Sequence, residues 1–188
     1  FTYTVDEDRP ALTVTSLGIG DVTFADGKET DEMNGRVETD LGEGVLTIHM
    51  NGGNLYTTGA SFVAANKLYI DGAGQIGQNM NNPFRAYVFD ISSYDGTTAI
   101  KAQNARPNEV KDQADGAIYL KLTLVRKWMT QTQVNSASGI QAELNLAEVI
   151  GGRGSTVVID VAAPKVVCAN MPETDDDYYI SIPRGEMN

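Results

Sequence analysis

Six times in this chain an Asn or Asp is followed directly by Gly: Asp26-Gly27, Asn34-Gly35, Asn51-Gly52, Asp71-Gly72, Asp95-Gly96 and Asp115-Gly116. These residues tolerate the positive φ angles of a two-residue turn, so each pair marks a place where extended chain changes direction. Most of them separate runs rich in Val, Ile, Thr, Tyr and Phe, the residues that fit a pleated surface. That pattern confines the chain to β architecture.

Alternation supports it. Over residues 118–128, Ile118, Leu120, Leu122 and Leu124 share one face, while Tyr119, Lys121, Thr123, Val125 and Lys127 share the other. Residues 45–50 and 54–63, joined through Asn51-Gly52-Gly53, read as a hairpin. Further strands are expected over 11–17, 35–41, 67–70, 85–91, 156–161, 165–169 and 178–182. Residues 72–83 read as a polar loop, 101–114 as a loop with a helical turn after Asn108, and 141–150 as either a short helix or a strand. The sum is an all-β, antiparallel β-sandwich or jelly-roll-like domain of about 9–11 strands with one or two short helical turns. No repeat of fixed period is visible, which argues against propellers and solenoids. The expected organisation is a terminal strand and linker over residues 1–8, followed by a single domain over 9–188.

Composition removes several function classes. With 25 acidic and 14 basic residues the net charge is −11, a sign that repels nucleic acid. No apolar run reaches the roughly 20 residues of a spanning helix, so no membrane insertion is expected. A lone cysteine, Cys168, permits no intrachain disulfide and reads as a small core residue at a strand end.

The chemical motifs are thin. Gly72-Ala73-Gly74-Gln75-Ile76-Gly77 matches G-x-G-x-x-G, but no helix follows to face a pyrophosphate. Gly151-Gly152-Arg153-Gly154 lacks the Lys-Ser/Thr of a phosphate loop. His49 is the only histidine, with no visible partner for a Ser-His-Asp or Cys-His device. One His and one Cys exclude a His- or Cys-cluster zinc site. The acidic runs Asp6-Glu7-Asp8, Asp31-Glu32 and Asp175-Asp176-Asp177 suit Ca²⁺ chemistry in type, yet none has EF-hand spacing. They are read as solvated turns that guard strand ends, and no cofactor is expected. A glycosidase would need two carboxylates across an aromatic-lined cleft, for which Trp128 alone is little support.

What remains is a non-enzymatic structural role. Phe1-Thr2-Tyr3-Thr4-Val5 alternates, and Asp6 to Pro10 then breaks the chain away from the next strand. Such a strand can be donated to a neighbour's open sheet edge, with Phe1, Tyr3 and Val5 as the assembly residues. A head-to-tail contact of that kind propagates. The expectation is a self-assembling subunit of a pilus- or fimbria-like extracellular filament or surface layer, its partners being copies of itself. The absence of an initiator Met before Phe1 points to removal of a secretion signal. The alternatives are a virion or phage-tail component and a carbohydrate-binding module using Trp128 and the tyrosines.

Overall fold

The structure, a computed structural model, describes residues 2–6, 11–24, 44–59, 61–93, 96–103, 116–123, 142–152, 154–162, 165–173, 176–181 and 186–187. These residues form strands in chain order: β1 (Thr2–Asp6), β2 (Ala11–Thr15), β3 (Val22–Phe24), β4 (Val45–His49), β5 (Asn54–Thr57), β6 (Val63–Ala73), β7 (Gln75–Ile76) and β8 (Phe84–Asp90). They continue with β9 (Ile100–Ala102), β10 (Ile118–Thr123), β11 (Ala142–Asn145), β12 (Val149–Ile150), β13 (Thr156–Ala162), β14 (Lys165–Ala169), β15 (Asp177–Ser181) and β16 (Glu186–Met187). The helical content among them is one 3₁₀ turn, Leu146–Glu148, whose Ala147 amide donates to the Asn145 side chain.

The strands pair in parallel. Leu46 lies beside Leu68, 22 residues on, Leu55 beside Ile76, 21 on, and Val157 beside Tyr178, 21 on. Parallel neighbours need a connection long enough to carry the chain back to its starting side. Among the described residues of the shorter passes, those of 21–24 residues, that connection is strand, corner and one 3₁₀ turn, and each such pass stacks on the one before. The sheet curls around one core cluster that draws on strands from β4 to β13. This is a coil of stacked parallel strands, and almost all-β as expected.

Columns of like residues hold the stack. Val14, Ile48, Ile70, Ile100 and Val149 are successive partners, none more than 5% exposed. Leu55, Ile76, Ile118 and Val157 form a second buried column, and Phe84, Leu120 and Ile159 a third. A third side is built from Val63–Ala86 and Ala65–Val88 pairs and from the smaller sheet β11-β14-β16. Each aliphatic side chain taken from water contributes about 1.5–3 kcal/mol before entropy is counted. In-register stacking places every inward residue against its counterparts above and below, so the coil needs no second sheet.

The antiparallel sandwich is therefore corrected, and the hairpin of 45–50 with 54–63 along with it. β4 pairs with β2 and β6, and β5 with β3 and β7. Asn51-Gly52 is the corner between them. A positive φ serves a corner as well as a reversal, which is why the dipeptide misled. The exclusion of solenoids fails for a related reason. Coil lengths are unequal: Val14 to Ile48 spans 34 residues, Ile76 to Ile118 spans 42 and Ile100 to Val149 spans 49. The segments 25–43, 104–115 and 124–141 fall inside these longer coils and outside the described residues. With the sandwich goes the pilus-like picture built on it, and nothing in this architecture supports a pilus or secretion.

One corner explains the glycines. Gly74 donates to the Gly53 carbonyl at 2.8 Å, Gly116 to Gly74 at 2.7 Å and Gly152 to Gly116 at 2.8 Å, a backbone column crossing four coils. A Cβ on Gly74 would sit 2.4 Å from the Gly52 carbonyl oxygen. The G-x-G-x-x-G match is thus a place where coils touch backbone to backbone. Asn54 and Gln75, adjacent in register and buried, add a polar rung beside it: Asn54 donates to Tyr56 at 2.7 Å and Gln75 to the Gly77 and Gln78 carbonyls.

Candidate functional site

A stack of coils offers two kinds of surface, its ends and its outer ladders. At one end β1 lies antiparallel on β2, with Tyr3 opposite Val14 and Val5 opposite Leu12 in the same chain. Two of the three proposed assembly residues, Tyr3 and Val5, are thus in an intramolecular ladder. Phe1 lies outside the described residues, as do Glu7 to Pro10.

At the other end β15 is the last strand of its stack among the described residues, paired to β13 alone. Its burial alternates strictly, with Tyr178 and Ile180 half-buried against the core and Tyr179 58% exposed. The Tyr178 hydroxyl donates to the Val149 carbonyl at 2.7 Å, tying β15 to β12 across the coil. Burial, helped by the Asp176 charge, pushes its pKa up to about 12. A phenol whose folded pKa exceeds the unfolded value of about 10 stabilises the fold fully below pH 10. That contribution is lost as pH rises through 12. Tyr178→Phe is therefore expected to lose the Val149 hydrogen bond at neutral pH, about 0.5–1.5 kcal/mol. It should also be less sensitive to alkali than the parent between pH 10 and 12, as followed by thermal unfolding. A variant with the parent's slope would remove Tyr178 as the cause.

On the outer side of β4 and β6, His49 Nδ1 and Asp71 Oδ1 lie 2.9 Å apart, with side chains 41% and 34% exposed. Thr15, His49 and Asp71 are consecutive partners on three parallel strands. The Tyr69 ring stands edge-on to the imidazole at 5.9 Å, and its hydroxyl is 2.9 Å from Thr97 Oγ1. Lys67 donates to Ser92, and the Glu148 carboxylate accepts the Ser93 and Ala99 amides, so the segment after β8 is fastened over this face. The His–Asp half of a relay is present. Among the described residues no hydroxyl or thiol bonds the imidazole, and an exposed pair of this kind contributes about 0.2–1 kcal/mol.

Asp71 is the partner that sequence reading missed for His49. The signal was the 22-residue offset of one coil, hidden because the corner at Asp71-Gly72 was taken as a hairpin turn. Cys168 is where it was expected, on β14 and partly buried against the core. Burial pushes its thiol pKa up, which keeps it protonated and slow to react. Of the acidic runs, Asp176 precedes β15 and Asp177 opens it, while Asp8, Asp31, Glu32 and Asp175 lie outside the described residues, as does Trp128. Among the described residues no three His, Cys, Asp or Glu side chains converge as a metal site, and no helix is long and apolar enough to cross a membrane.

Compared with protein-family models, with curated proteins and with solved structures, the chain matches none of them.

Proposed function

We propose that the protein is a non-enzymatic structural unit, a stack of parallel coils that joins copies of itself end to end by strand addition. The observation that carries this reading is the last described layer. Tyr178 and Ile180 continue two core columns, Leu55 to Val157 and Phe84 to Ile159, yet each packs on the core from one side only. A further strand laid on β15 would cover them and pair its outward backbone groups.

Sedimentation velocity over a concentration series tests it. The parent is expected to associate as concentration rises. Tyr179→Lys, which sets a charge on the outer face of the edge strand, is expected to shift that association to higher concentration while leaving the melting temperature within a degree or two. A protein that stays monomeric throughout, with residues 1–8 present and with them removed, or a Tyr179→Lys variant that associates equally, would count against end-to-end assembly. The carbohydrate-binding alternative predicts instead a saturable glycan signal that the parent gives as a monomer.

A further inference from the structure

Every named ladder among the described strands is parallel except one, β1 on β2. That exception sits at an end. β1 runs along β2 for five residue pairs, from Thr2 opposite Thr15 to Asp6 opposite Ala11. It therefore fills, on this side of the coil, the layer that the next parallel strand would occupy. On the adjoining side, β3 pairs only with β5, and no strand covers its outer edge among the described residues.

The two ends match in chemistry. Val14 and Val22 end two inward columns at the β2–β3 end, and Phe24, whose register partner is Thr57, meets the third by standing edge-on to Phe84 at 6.4 Å; Val149, Tyr178 and Ile180 stand at the other end. A second copy stacked head to tail would bring apolar residues onto apolar residues in all three. The layer it needs over β3 is open among the described residues. The layer over β2 is taken by β1.

We propose that β1 is a releasable cap: it closes the β2 end of the stack against a further coil, and its departure from β2 opens that end. This deepens the end-to-end reading and rests on it for the identity of the incoming coil. It also reverses the sign expected of the terminal strand. A donated β1 would promote assembly, whereas a cap restrains it. A reversed strand suits that task, because the coil cannot continue through it in register and the edge beneath is hidden. Each junction then needs one β15 end and one β2 end freed of β1, so release of β1 sets how readily copies join.

The experiment uses the full chain with Thr4→Pro and Val5→Pro together. Adjacent residues of a strand point their amides to opposite sides, so one of the two prolines removes a donor that faces β2. A chain beginning at residue 9 is the second variant, in case the prolines disturb folding. Circular dichroism and melting first establish that each is folded. The cap predicts that both associate at lower concentration than the parent, about tenfold lower for each 1.4 kcal/mol of β1–β2 pairing removed. It predicts also that adding Tyr179→Lys to either variant reverses the gain. Folded variants that associate no more readily than the parent overturn the proposal. So do variants that associate less, the result for a donated strand. Association that ignores Tyr179→Lys means β2 ends pairing with each other, and likewise overturns it. If the parent associates through a Tyr179-sensitive contact and the variants behave identically, the cap fails while end-to-end assembly stands. If parent and variants all remain monomeric, both fail.

Discussion

Gly116→Val is expected to cost about 4 kcal/mol or more, lowering the melting temperature by roughly 8–16 °C for a chain of this size or preventing folding outright. Gly116 has φ +76°, and a Cβ there would lie 2.4 Å from the Gly152 Cα and 2.6 Å from the Gln103 carbonyl oxygen. The obstructing atoms are backbone, so neither can step aside without separating two coils. The left-handed conformation alone costs an L-residue about 1–2 kcal/mol, more when the side chain is β-branched, and overpacking adds about 1–3 kcal/mol. Gly18→Ala is the control. Nothing lies within 4 Å of its Cβ position, and its effect should stay within about 0.5 kcal/mol. If thermal unfolding finds Gly116→Val within a degree or two of the parent, the glycine column is not where coils meet.

Leu120→Ala should be the second severe change, at about 3–4 kcal/mol, because the site cannot collapse. Leu120 is wholly buried between Phe84 and Ile159 in register, with Ile118 and Leu122 on its own strand. A rigid neighbour on both sides leaves the cavity open. Leu12→Ala, at the end of the stack and half-buried, should cost no more than about half as much, since the lost methyl groups are partly in water already. Chemical denaturation with equal m-values measures both. Equal losses at Leu120 and Leu12 would contradict a core that is deepest in the middle coils.

Local structure was legible, and connectivity was not. The inward set Ile118, Leu120 and Leu122 could be read from period-2 alternation, because alternation depends only on one face being buried. Strands at 85–91, 156–161 and 165–169 could be read from their runs of strand-forming residues. Residues 141–150, left between helix and strand, hold both: β11, a 3₁₀ turn and β12. What alternation does not encode is which strand lies beside which. An Asx-Gly corner and an Asx-Gly hairpin ask the same φ of the same residues. They differ only in where the chain goes next, and that is decided by columns of partners 21 to 49 residues apart. Unequal coil lengths erase the period that would have disclosed those columns. The same blindness hid Asp71 from His49, since side-chain partners across a parallel ladder are set by coil length rather than by any local motif.

The stacked coil requires β4 to lie between β2 and β6, and backbone NOEs tell this directly. In the stacked coil, amide and Hα protons of Leu46, Thr47 and Ile48 give inter-strand cross-peaks to residues 68–70 and, on the other side, to residues 12–14. Thr47 should show none to residues 54–57, the strand it would face across a hairpin at Asn51-Gly52. Cross-peaks from Thr47 to Tyr56 or Thr57, with none to Tyr69, would replace the parallel coil by the antiparallel sandwich.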